Sequence, residues 1–210
     1  MKALPNGNWK LVTAIFVLAI TGCSVLPEAQ VDLTRYYVMT GSGLMEQQLS
    51  AHDGALNIGL KMTQVAPYLD KGTVVVRAGT NELIFNDYAR WAEPLSEGIT
   101  RVIRGRLLAS PSVDRVFGYP YPFEQHRDCD VSITVIRCEG VREAGRTLVR
   151  FSGLLEVTTV GDNSEVVARR IFTAPDREWD GRDYATLVQM LSESVISLAD
   201  EVVAALPVKS

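Results

Sequence analysis

Few residues in this chain are of a type that carries chemistry, and only one stands in an informative pattern. Among 210 residues there are 3 cysteines and 2 histidines, His52 and His126. Cys23 closes the run Ile20-Thr21-Gly22-Cys23, directly behind the apolar segment Leu11–Ile20. A cysteine sulfur at such a place is a nucleophile open to covalent modification. The cluster His126-Arg127-Asp128-Cys129-Asp130 gathers metal-ligand types, but its spacing fits no closed zinc site. It reads instead as the polar start of a strand. The sequence holds no H-E-x-x-H, no G-x-x-x-x-G-K-[ST] and no G-x-S-x-G. Ser152-Gly153 lies inside a strand pattern, away from any strand-to-helix elbow. No catalytic residue, metal ligand or cofactor site is expected, and the chain does not read as an enzyme.

Residues 1–22 read as an export signal. Lys2 and Lys10 supply a positive flank, no acid occurs in this stretch, and Leu11–Ile20 is an apolar run of ten. That length suits the apolar region of a signal peptide. It falls short of the ~20 residues that cross a bilayer. Ile20-Thr21-Gly22-Cys23 resembles the bacterial lipobox. The resemblance implies cleavage before Cys23, a diacylglycerol on its thiol and an acyl group on the new amine. One acyl chain binds a membrane reversibly, whereas two or more give stable anchoring. Ser24, standing where Asp retains such proteins in the inner membrane, implies the periplasmic face of the outer membrane.

The remainder, from Cys23 onward, keeps 19 basic and 25 acidic residues, a charge of about −6. Residues 23–34 are expected to be the acylated cysteine and a tether, and residues 35–206 one folded domain. Scattered arginines in an acidic chain give no footprint for nucleic acid. Nor is there a basic run for anionic headgroups, so membrane contact beyond the anchor is expected to be apolar. Cys129 and Cys138 fall on one predicted strand. Nine residues of strand span about 30 Å, too far for a disulfide without a bend. Their parity differs, which predicts two small buried hydrophobes on opposite faces.

The predicted elements alternate between strands and helices. Arg35–Thr40 is a first strand, followed by a polar loop from Gly41 to Gly54. Leu56, Ile58, Leu60 and Met62 alternate with polar residues or glycine and predict a half-buried strand. Thr73–Arg77 and Glu82–Asn86 are two more. Pro94 suits the first turn of a helix, along which Leu95, Ile99, Val102, Ile103 and Leu107 form a stripe. Val131–Arg137, Leu148–Thr158 and Val166–Phe172 predict an antiparallel meander, with turns at Gly140–Gly145 and Gly161-Asp162-Asn163. Asp183 is the expected N-cap of a last helix running to Leu206. The fold class is α+β: a mainly antiparallel sheet with two long amphipathic helices on one face. No series of parallel crossovers is apparent.

Two features remain. Phe117–Phe123 (FGYPYPF) is an aromatic loop stiffened by proline, in which an X-Pro bond can be cis. If self-packed, Phe117, Tyr119, Tyr121 and Phe123 close the loop on itself. If exposed, they form an oligomer contact or dip into a membrane. The other feature is the series Tyr36-Tyr37-Val38, Pro67-Tyr68-Leu69-Asp70, Val74-Val75-Val76-Arg77 and Arg90-Trp91-Ala92-Glu93-Pro94-Leu95. This series resembles the ABC-type transport auxiliary lipoprotein family over roughly Arg35 to Ala205. The resemblance implies a lipid-anchored subunit of an MCE-type intermembrane lipid transport system. Such a subunit docks or stabilises the periplasm-spanning MCE-domain partner at the outer membrane. The alternative is a stand-alone lipid-binding or envelope-assembly lipoprotein, which requires an apolar pocket of about 300 Å³ or more. Within the motif, Trp91 and Leu95 are expected to anchor the core, and Arg77, Arg90 and Glu93 to form a local ion-pair set.

Overall fold

The computed structural model describes residues 31–41 and 56–208. Cys23, its leader, the tether as far as residue 30 and the loop after Gly41 lie outside the described residues. The chain divides after Leu33, and the unit that opens at Thr34 holds all the secondary structure described.

Among the described residues, ten strands and two helices follow in order. They are β1 (Arg35–Tyr37), β2 (Leu56–Leu60), β3 (Gln64–Val65), β4 (Thr73–Ala78), β5 (Glu82–Trp91), α1 (Leu95–Leu108) and β6 (Val113–Gly118). Then come β7 (Cys129–Glu143), β8 (Arg146–Thr159), β9 (Val166–Thr173), β10 (Arg177–Glu178) and α2 (Tyr184–Ala204). One sheet contains every strand. Its spine is the long hairpin β7–β8, paired from Cys129↔Thr159 to Glu143↔Arg146. β8 carries β9 and β10 on its other edge, both antiparallel.

The free edge of β7 is shared by three short strands. β2 pairs beside Cys129–Val131, β3 beside Thr134–Val135 and β4 beside Gly140–Arg142, all parallel to β7. β6 is parallel to β2, and β1 is parallel to β5. The α+β class stands, and the long pairings are antiparallel. The expectation of no parallel crossovers does not hold. β3, β6 and β10 are too short or too interrupted for periodicity to reveal them, and Phe117 belongs to β6 rather than to a loop.

Element bounds differ where tertiary bonds override local pattern. β1 stops at Tyr37, because Thr40 N–H donates to Ser192 Oγ on α2 at 3.1 Å instead of to a strand. β5 continues to Trp91, whose N–H donates to the Gly72 carbonyl at 3.0 Å. Pro94 is therefore the cap residue before α1, not part of its first turn. The β7–β8 turn is only Ala144-Gly145, both at positive φ (49° and 76°). Paired left-handed residues are what a two-residue type I′ turn needs. Alanine there costs about 1–2 kcal/mol. Ala144→Asn is expected to stabilise the fold by about 0.5–1 kcal/mol, read as a higher urea midpoint at unchanged m-value.

Each helix buries a stripe of its surface. On α1 the stripe is Leu95, Ile99, Val102, Ile103 and Leu107. On α2 it is Leu187, Leu191, Val195, Leu198 and Val202. Asp183 caps α2 as the sequence predicts, accepting from Ala185 N–H at 3.0 Å. Opposite them in the core lie Ile58, Leu60, Val131, Ile133, Val135, Phe151, Leu155 and Val157. Burying each such side chain contributes about 1.5–3 kcal/mol. Cys129 and Cys138 are both free thiols in this core. A β-bulge between Val135 and Arg137 resets the strand parity. The two cysteines therefore share one face, where alternation alone sets them apart. Burial pushes the Cys129 thiol up to about 12, so it stays protonated and unreactive at neutral pH.

Candidate functional site

The Pro67-Tyr68-Leu69-Asp70 turn and the Val-Val-Val-Arg strand converge on a residue with no place in the sequence pattern, Glu139. Leu69 N–H donates to the Ala66 carbonyl at 2.8 Å, closing the turn after β3. Leu69 is buried in the core, while Pro67 and Asp70 face solvent. Tyr68 is thereby held over the β7 bulge, where its hydroxyl donates to the Ile136 carbonyl at 3.2 Å. Arg77 closes a bidentate pair with Glu139, Nε to Oε1 at 2.7 Å and Nη2 to Oε2 at 3.2 Å. Its Nη1 donates to the Thr80 carbonyl at 3.3 Å. Arg77 lies 5.3 Å from the Tyr68 ring centroid, a cation–π distance.

The Glu139 side chain is 0% exposed and that of Arg77 17%. Burial first, then the Glu139 charge, push the Tyr68 phenol up to about 12. The hydroxyl therefore remains a donor at neutral pH. All three guanidinium nitrogens of Arg77 are bonded within the protein, so this cluster is a structural lock. The only sequence sign of Glu139 is an acid inside a strand whose alternation slips at Ile136.

The rest of the motif forms a separate structure. Trp91 and Leu95 are buried, as predicted. Glu93 pairs with Arg101 of α1, and Arg101 also donates to the Met39 carbonyl at 2.9 Å. Arg90 is exposed and makes no ion pair among the described residues. The expected Arg77–Arg90–Glu93 set is thus replaced by two pairs with different partners. Arg77 sits beside Leu83 and Arg90 beside Thr73, at opposite ends of the β4–β5 pairing, which keeps Arg77 from Arg90 and Glu93.

The aromatic loop is half packed and half exposed. Tyr121 lies under the Arg127 guanidinium, 3.9 Å from its ring centroid. Asp130 Oδ1 holds Arg127 Nε at 2.9 Å. Tyr119 stacks edge-on against Tyr121 at 5.5 Å, and the Tyr119–Pro120 bond is cis. Yet Tyr119 is 67% exposed and Phe123 fully so. Asp128 Oδ2 accepts the Asn57 N–H at 2.7 Å, and His126 faces the other oxygen at 3.4 Å. The His126–Asp130 run is thus a clamp on β2, and no metal-ligand grouping occurs among the described residues.

Gly59 makes this clamp possible. A Cβ there would overlap Asp130 Oδ1 and sit 2.9 Å from Arg127 Cδ and Nε. Gly59→Ala is expected to cost about 1–3 kcal/mol by displacing the Arg127–Asp130 pair. The accompanying sign is a change in Tyr121 fluorescence or its NMR ring shifts. Unchanged tyrosine signals would mean that the clamp does not hold the loop.

A groove of about 480 Å³ runs between β1 and α2, lined by Tyr37, Val38, Val188, Ser192, Glu193 and Ile196 among others. No helix among the described residues is long and apolar enough to cross a membrane.

Residues 37–203 match the family model of the ABC-type transport auxiliary lipoprotein component. The chain belongs to that family. The match runs from the end of β1 nearly to the end of α2 and includes both the Tyr68–Arg77 lock and the Trp91–Glu93 corner. A crystal structure of a Xanthomonas campestris protein is similar at 18% identity and a TM-score of 0.67. It covers 81% of this chain and 93% of its own. An uncharacterized protein of known structure is similar at 16% identity and TM-score 0.61, over 80% of this chain and 95% of its own. At these identities the likeness shows the fold alone. No curated protein matches the chain.

Proposed function

We propose that this family member is a lipid-anchored, non-catalytic subunit of an MCE-type intermembrane lipid transport system. It sits on the periplasmic face of the outer membrane and docks or stabilises the periplasm-spanning partner. Residues 1–22 are the signal peptide, Cys23 the acylated residue, residues 23–34 the tether and residues 35–206 the domain. The observation that carries this reading is the family match over residues 37–203, joined to the lipobox-like Ile20-Thr21-Gly22-Cys23. A transport auxiliary component works within a complex, and an acyl anchor keeps it at one surface. Affinity capture of the acylated protein in mild detergent is expected to recover an MCE-domain partner. Repeated capture without one would sink the proposal.

The groove between β1 and α2 favours a second reading, a stand-alone lipid-binding lipoprotein. Its volume exceeds the ~300 Å³ lower bound for a ligand pocket. Glu193 in its lining argues for the first reading over this one, because an acyl chain would desolvate its exposed carboxylate. Native mass spectra of the purified chain decide between the two, with bound lipid favouring the second.

A further inference from the structure

Three strands bring arginines together at one end of the sheet. Arg77 lies near the end of β4, Arg137 and Arg142 on β7, and Arg150 on β8. With Thr80 and Glu143 they line a cavity of about 350 Å³. Two of the four have carboxylate partners. Arg77 holds Glu139, and Arg150 is bonded to Asp176 at 2.6 Å and Glu143 at 3.3 Å. Arg137 and Arg142 make no ion pair among the described residues, and Arg142 reaches only the Gly181 carbonyl at 3.4 Å. The site thus counts four guanidiniums against three carboxylates. The planar fork of a guanidinium matches the oxygens of a phosphate.

The strand register shows where this end of the sheet points. Ala78 pairs with both Glu82 and Arg142, and Glu143 with Arg146. The β4–β5 turn, the β7–β8 turn and the cavity therefore share one end. β5 leads away from it, and β1 runs parallel to β5 with Arg35 beside Ala89. We propose that this cavity binds a phosphate-bearing anion, and that the anion it meets is the headgroup of an anionic phospholipid. The phosphate chemistry rests on the cavity alone, whereas the lipid source rests on the anchored reading above. A basic site for headgroups thus exists in the folded chain, where the sequence shows only scattered arginines.

The test uses the full chain in a neutral detergent, titrated calorimetrically. The probes are dihexanoyl phosphatidylglycerol, the phosphatidylcholine of the same chains, and inorganic phosphate. Phosphatidylglycerol is expected to bind at least tenfold more tightly than phosphatidylcholine, and more weakly as salt rises. Arg137→Gln with Arg142→Gln should weaken it at least tenfold. Arg104→Gln with Arg106→Gln, the same charge change on α1, should leave it unaltered. The double substitution of Arg137 and Arg142 removes no ion pair, and its melting curve without ligand checks the fold. If that curve loses cooperativity, Arg137→Gln alone carries the comparison, since its side chain makes no hydrogen bond among the described residues. Phosphatidylglycerol affinity unchanged by these substitutions would overturn the site, as would no binding at all. Inorganic phosphate binding as tightly as the lipid would keep the anion site and overturn the lipid source. Binding in micelles needs no transport partner, so a failed partner capture leaves this result standing.

Discussion

Arg77→Met is expected to destabilise the domain by about 3 kcal/mol, because it strands a fully buried carboxylate. Glu139 is 0% exposed and its only ion-pair partner among the described residues is Arg77. Removing one member of a buried pair typically costs ~3–5 kcal/mol, since the remaining charge keeps its desolvation penalty and loses its compensation. The lower end applies here, because Arg77 keeps a solvent-exposed edge. For a domain of this size that loss is a fall of about 6–12 °C in melting temperature. Arg77→Met with Glu139→Met removes both charges, and should return to within about 1 kcal/mol of the parent. Non-additivity of the two substitutions is the direct measure of the pair. Equal melting curves for Arg77→Met and the parent would show that the pair does not hold the fold. Tyr68→Phe deletes only the bond to the Ile136 carbonyl and should cost about 1 kcal/mol.

The second large effect is on location. Cys23→Ala, exported on an ordinary secretory leader in place of residues 1–22, should leave the melting curve unchanged. The membrane-bound fraction should fall from nearly all of the protein to background. Each buried methylene of an acyl chain contributes about 0.8 kcal/mol, so two or more chains hold the protein where none does not. The described core begins at Met39, which is why the fold is expected to survive. Fractionation and far-UV circular dichroism of the two proteins make the measurement. A soluble variant with full transport function would contradict the anchored role.

The helices and the long meander were legible in the sequence because their signals are local. Leu187, Leu191, Val195, Leu198 and Val202 repeat at the helical period, and Asp183 stands at the cap. The hairpin β7–β8 alternates over most of its length. β3 and β10, of two residues each, carry no period to read. β6 is broken by Asp114 and Arg115 between its buried valines. The parallel order of β2, β3 and β4 along β7 is invisible for a different reason. Those strands are joined through turns, and only the shared edge of β7 sets their order.

By itself the sequence determined what a few neighbouring residues can encode. It specified the lipobox-like run at Cys23, the two helices, the α+β class and a motif series that places the chain in its family. The tertiary structure alone decided which partners those residues meet. Arg77 and Glu139 lie 62 positions apart and pair only because β4 and β7 share an edge. The bulge at Ile136 turned Cys138 inward and Glu139 toward Arg77. Gly59 let Arg127 and Asp130 close over β2 and split the aromatic loop into a pinned Tyr121 and an exposed tip. Arginines scattered along three strands became one cavity wall. Propensity and covalent modification act over a few residues, whereas charge pairing acts across strands whose register only the folded sheet sets.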